Sequence, residues 1–94
     1  IPQEQIAEFC RKHQIRKLAL FGSVLRDDFR EDSDVDVLVE YETDAIVTLL
    51  DMAAQELELG MMLERKVDLR TPEDLSRYFR HKVVEAAESL YERR

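Results

Sequence analysis

Residues 15–41 read IRKLALFGSVLRDDFREDSDVDVLVEY. The stretch opens with a short strand, Arg16–Phe21, whose run Leu18, Ala19, Leu20, Phe21 is apolar on both faces, as in a central, covered strand. Gly22 and Ser23 break it. Val24–Phe29 has the pattern of a short helix with Ser23 as its N-cap. Ser33 to Tyr41 is the clearest strand in the chain. Val35, Val37, Val39 and Tyr41 alternate with Asp34, Asp36, Leu38 and Glu40, and a period of two puts alternate side chains on opposite faces of a sheet.

Working outward from this segment, residues 2–13 read as a helix, with Pro2 suited to the first turn and Ile6, Phe9 and Cys10 at helical spacing. Residues 44–62 read as an amphipathic helix with Ile46, Leu49, Leu50, Ala53, Leu57 and Met61 along one apolar stripe, and Met52, Met61 and Met62 are expected to pack in the core. Lys66–Arg70 reads as a third strand, with Val67 and Leu69 on one face and Asp68 on the other. Thr71-Pro72-Glu73-Asp74 has the chemistry of a helix start: a cap, a proline in the first turn and early acids. The last helix is expected to run to about Glu92, with Leu75, Phe79, Val83, Ala86 and Leu90 on one face. The predicted order is α-β-α-β-α-β-α. Strands alternating with helices give an α/β fold: one domain over residues 1–94, with a small mixed sheet of three to four strands packed with helices.

Composition narrows the function classes. The 94 residues include 14 Lys plus Arg and 21 Asp plus Glu, a formal net charge of −7. Proteins that bind DNA or RNA by neutralising phosphates usually show a basic face, so the acidic balance argues against direct nucleic-acid binding. A small phosphorylated ligand that carries its own cations is not affected by that argument. No stretch approaches the ~18 consecutive apolar residues of a membrane span. The chain opens without the charged-then-apolar leader of a secreted protein. Its lone cysteine, Cys10, cannot form an internal disulfide and fits a small buried apolar residue. A cytoplasmic location is expected. His13 and His81 sit far apart on helical segments without a partner motif and are expected in surface or capping roles.

The chemistry lies between Phe21 and Glu40. A strand that ends in Gly-Ser and opens a helix exposes backbone N–H groups. Gly22 has no Cβ to block a ligand, Ser23 adds a hydroxyl, and the helix N-terminus adds partial positive charge, which together make a phosphate cradle. Arg26, three residues after Ser23, falls on the same helix face and can add charge to the phosphates. Ten residues after Ser23 come Asp34 and Asp36, which leave the same face of a strand. Two such carboxylates repel unless cations lie between them, and Mg²⁺ prefers hard oxygen ligands shared with substrate phosphates. A pair of metal ions is the usual device for in-line nucleotidyl displacement. Asp68 reaches the same face if its strand neighbours that of Asp34 and Asp36. There it can complete the first metal site and take a proton from an attacking hydroxyl. Asp-x-Asp alone also fits two solvated charges on the open face of a sheet. The phosphate turn at the matching offset is what favours a site.

Gly22-Ser23, ten residues, then Asp34-Val35-Asp36 resembles the signature of the minimal nucleotidyltransferases, small members of the polymerase-β-like nucleotidyltransferase superfamily. The resemblance extends over IRKLALFGSVLRD, SDVDVLVEY, RKVDLRTPEDLS and VVEAAESLYE. It implies the polymerase-β-like nucleotidyltransferase fold, catalytic and metal-binding roles for Asp34, Asp36 and Asp68, and a triphosphate held at Gly22 and Ser23. It also implies ATP as substrate, two Mg²⁺ ions, and a HEPN-family toxin as partner. The chain would then be an antitoxin that transfers AMP to a tyrosine of that toxin. Two other functions fit the residues: an antitoxin that masks its toxin by binding alone, or a transferase acting on a small molecule.

Overall fold

The computed structural model describes residues 3–22, 34–78 and 80–93. Pro2, Ser23, Arg26, the expected helix at residues 24–29, and Phe79 lie outside them. Helix α1 (Gln3–Lys12) leads into strand β1 (Ile15–Phe21). Strand β2 (Val35–Tyr41), helix α2 (Leu49–Leu63) and strand β3 (Val67–Arg70) follow. A 3₁₀ turn at Pro72–Asp74, helix α3 (Arg80–Ala86) and strand β4 (Glu88–Glu92) complete the chain. The strands form one mixed sheet in the order β3-β2-β1-β4. β1 lies antiparallel to both β2 and β4, whereas β2 and β3 are parallel. Parallel strands need a crossover connection, and α2 supplies it.

Register aligns the apolar positions on one side of the sheet. Leu18 and Leu20 of β1 face Val39 and Val37 of β2, and Val35 and Val37 face Val67 and Leu69 of β3. Ile6, Phe9 and Cys10 from α1 and Leu59 from α2 close over them to form the core. Cys10 is fully buried, as its sequence setting predicts. His13 stacks edge-on against Phe9 and bonds Glu58 of α2 at 3.2 Å, which ties the end of α1 to the second helix. No described helix is long and apolar enough to cross a membrane.

The last segment differs from expectation. The helix expected from Thr71 to about Glu92 is reduced to a 3₁₀ turn at Pro72–Asp74 and α3 at Arg80–Ala86, and Glu88–Glu92 forms a strand on the free edge of β1. A helix there would leave the β1 edge with unpaired backbone groups beside the buried Leu18 and Ala19, so pairing wins over local helix preference.

The second difference concerns α2. It begins at Leu49 rather than at residue 44, because Thr48 and Asp51 form a reciprocal capping box. The stripe assigned to its inner face points outward: Leu49, Leu50, Ala53, Leu57 and Met61 are all exposed, as is Ile46 just before the helix. The face against the sheet carries Gln55 and Leu59, with Met52, Met62 and Leu63 packed beside them. Of the three methionines expected in the core, Met61 alone is outside it. Polar anchors explain the rotation. The Tyr41 hydroxyl donates to Gln55 Oε1 at 2.6 Å, and the Leu69 N–H, on the edge strand, donates to Glu56 Oε2 at 2.7 Å. Turning the apolar stripe inward would withdraw both acceptors and leave a sheet-edge donor unpaired. Burial, reinforced by the charge of Asp51, pushes the Tyr41 hydroxyl up to about 12.

Candidate active site

The valines of β2 face the helices, so the intervening residues Asp34 and Asp36 project from the opposite face of the sheet. Across β1 and β2, Asp36 is the register partner of Phe21. This brings the next residue, Gly22, against the Asp36 carboxylate. Gly22 has φ of +74°, a conformation that L side chains rarely adopt. A Cβ at this position would stand 3.2 Å from Asp36 Cγ and overlap Oδ2. Both the backbone angle and the close approach therefore require glycine.

On the other side of β2, Asp36 is the register partner of Asp68. Neighbouring strands lie ~4.8 Å apart, so the two half-buried carboxylates leave adjacent positions on one face. Asp34, at the mouth of β2, is more exposed, and its Oδ2 lies 4.0 Å from Lys66 Nζ. The Val35 N–H donates to the Lys66 carbonyl at 2.8 Å, which fixes where β2 meets β3.

Sequence reading passed over Arg70. It follows Asp68 by two residues on β3, so it shares that residue's face. Its Nε and Nη2 donate to Asp68 Oδ1 and Oδ2, each at 3.2 Å. The Asp68 bonds and charge, with Asp74 and Asp36 adding to them, hold the Arg70 guanidinium above its ordinary value. The spacing Asp68-x-Arg70 on a strand was the signal available in the sequence. Arg70 is thus the cation paired with Asp68. Among the described residues, no three carboxylate, imidazole or thiol groups converge tightly enough to hold an ion as the side chains stand. Asp68 is turned to Arg70, and Asp34 lies near Lys66. The fold therefore brings Gly22, Asp36 and Asp68 together, with Asp34 at the margin. Ser23 and Arg26 of the expected phosphate turn lie outside the described residues.

The sequence profile described as polymerase beta, nucleotidyltransferase matches residues 4–94. This chain belongs to that nucleotidyltransferase family. Protein adenylyltransferase MntA of Thermococcus cleftensis is 39% identical over 62 residues, covering 66% of this chain and 61% of the relative. A solved structure of a candidate minimal nucleotidyltransferase is 36% identical and superposes with a TM-score of 0.73 over 90% of this chain and 85% of that one. At 20% identity the likeness is one of fold. A toxin–antitoxin crystal structure with AMP-PNP gives a TM-score of 0.75 over 100% of this chain and 76% of that one. A complex of the tri-AMPylated HEPN toxin of Shewanella oneidensis with MNT antitoxin gives 0.67 over 97% and 70%. The small mixed sheet and its helices are thus the minimal nucleotidyltransferase fold, and the domain is a nucleotidyltransferase.

Proposed function

We propose that this nucleotidyltransferase is a magnesium-dependent antitoxin that moves AMP from ATP to a tyrosine hydroxyl of a HEPN-family toxin and so neutralises it. One observation carries the reading: Asp36 pairs in register with Asp68 while Gly22 closes against the Asp36 carboxylate. A phosphate-approach point and paired acids on one sheet face are what nucleotidyl transfer needs. The name of the Thermococcus relative and the two toxin–antitoxin neighbours, one with an ATP analogue and one with an AMPylated toxin, support donor and acceptor.

The donor set suits Mg²⁺: three hard carboxylates, two alternating along β2 and the third across a parallel ladder. Held by Asp34, Asp36 and Asp68, two such ions supply charge stabilisation to the triphosphate and the leaving group. In this reading Gly22 lets the triphosphate approach the main chain, the Ser23 hydroxyl donates to a phosphate oxygen, and Arg26 adds positive charge. The acceptor oxygen attacks the α-phosphorus. The bond from that phosphorus to the oxygen bridging to the β-phosphate breaks, and pyrophosphate leaves with that electron pair. Asp68 takes the hydroxyl proton, which requires Arg70 to release it first. With ATP as donor, the reaction belongs in the cytoplasm.

The test is to incubate the chain with α-labelled ATP, Mg²⁺ and the toxin. Label should move to a toxin tyrosine, and Asp34→Ala and Asp36→Ala should abolish both the transfer and the protection. If protection survives both substitutions, neutralisation is by masking alone. That second reading is favoured by the acidic charge of the chain and by the exposed apolar face of α2.

A further inference from the structure

The chain carries three tyrosines, and they differ in what their hydroxyls can reach. The Tyr41 hydroxyl is committed to Gln55 inside the fold. Tyr91 lies on β4, half-buried and packed against the core. Tyr78 is 80% exposed. Among the described residues its hydroxyl accepts one long bond, from Arg77 Nη2 at 3.4 Å, and the Arg77 guanidinium carbon stands 5.2 Å from the ring centroid. A hydroxyl held this loosely keeps its proton and lone pairs open to another partner.

Tyr78 sits on a turn that is braced on both sides. Before it, the Thr71 N–H donates to Asp74 Oδ2 at 3.1 Å and the Asp74 N–H returns a bond to the Thr71 carbonyl at 3.0 Å. After it, the Arg80 N–H donates to the Ser76 carbonyl at 2.9 Å, and Arg80 Nη2 reaches the carbonyls of Leu75 at 3.2 Å and Glu73 at 3.4 Å. A braced surface turn presents its side chains in one arrangement, so little ordering is lost when a binding site takes hold of it. The turn also borders the acid face. It follows β3, the 3₁₀ turn packs on β2 and α3 on β1, and Asp74 adds its charge to the field at Arg70, the partner of Asp68. We infer that Tyr78 is a self-modification site, whose hydroxyl takes AMP from ATP in the active site of this same enzyme. The hydroxyl oxygen bonds to the α-phosphorus, and the bond from that phosphorus to the oxygen bridging to the β-phosphate breaks. Pyrophosphate leaves with that electron pair, and the phenolic proton passes to a carboxylate of the site. The product is a phosphodiester anion placed beside Arg77, with which it can pair. The inference rests on the reading above for the donor and the reaction, and not for the toxin.

The test incubates the whole chain with Mg²⁺ and α-labelled ATP, alone in one arm and with the toxin in the other, and locates the label by peptide mass spectrometry. Wild type should gain an adenylyl group on Tyr78 in the absence of toxin. Tyr78→Phe should lose that label and still transfer to the toxin, with an unchanged melting curve because the ring is exposed. Asp34→Ala and Asp36→Ala should leave Tyr78 bare. A labelled toxin beside a chain that stays bare in both arms overturns the inference and leaves the transfer reading standing. A chain labelled at Tyr78 beside a bare toxin supports the inference and overturns the toxin as acceptor. Label on the chain only at residues other than Tyr78 overturns the inference, as does Tyr78 labelled equally in both acid variants. If neither protein takes label, both readings fall.

Discussion

Substituting Gly22 by Ala tests the geometry on which the site depends. Two costs are legible in the structure. At φ of +74° a non-glycine residue is disfavoured by roughly 1–2 kcal/mol. The added methyl also overlaps Asp36 Oδ2 and sits 3.2 Å from Cγ, so either β1 or the carboxylate must move, at about 1 kcal/mol or more. Together these predict a loss of about 2–3 kcal/mol. At ~4–8 °C per kcal/mol for a domain of this size, that is roughly 10–20 °C in Tm. Urea unfolding of wild type, Gly22→Ala, Asp36→Ala and the double variant separates the two costs. Asp36→Ala removes the carboxylate but leaves the backbone angle, so Gly22→Ala should cost about 1 kcal/mol less in that background. If the four stabilities add to within ~0.5 kcal/mol, the glycine does not serve the contact with Asp36, and the argument for a built site at this turn fails.

Other consequences are open to measurement. Tyr41→Phe removes the donor to Gln55, which is 4% exposed, and should cost ~1–3 kcal/mol in urea unfolding, with much of it recovered by adding Gln55→Leu. Arg70→Ala breaks an exposed pair, so stability should change by less than about 1 kcal/mol. Calorimetry in the presence of a nonhydrolysable ATP analogue should show tighter Mn²⁺ binding, because Asp68 no longer has a competing cation; unchanged or weaker binding refutes that role. Burial raises the Cys10 thiol from 9.0 to about 12, and Tyr41 rises from 10.0 to about 12. Both groups keep their protons longer in the folded state than in the unfolded state, so their contribution is intact below about pH 9 and is lost as pH climbs from 9 towards 12. The urea midpoint should therefore be insensitive to these groups up to pH 8.5 and then decline. For the same reason a thiol reagent at pH 8 should label Cys10 only after denaturation.

The acid face of β2 was legible before any coordinates. Val35, Val37 and Val39 alternate with Asp34 and Asp36, so a slip of one residue would bury carboxylates and expose valines. The break after Phe21 was equally legible, because Gly22 is one of only two glycines in the chain and it follows an apolar strand. So was the third strand with Asp68. What the residues do not encode locally is which elements become neighbours. Asp36 meets Asp68 only because α2 returns the chain parallel to β2. Arg70 acquires meaning only once Asp68 has a face. Helix α2 is apolar around most of its circumference, so periodicity alone cannot choose its buried side; the Leu69 N–H and the Tyr41 hydroxyl, from two different strands, choose it by demanding Glu56 and Gln55. The five residues of β4 are acceptable as helix, and only the open edge of β1 makes them a strand. Side-chain alternation is a property of neighbouring residues and survives in the sequence, whereas unpaired backbone groups and buried polar atoms exist only in the assembled fold, and there they settled the two elements that local pattern misassigned.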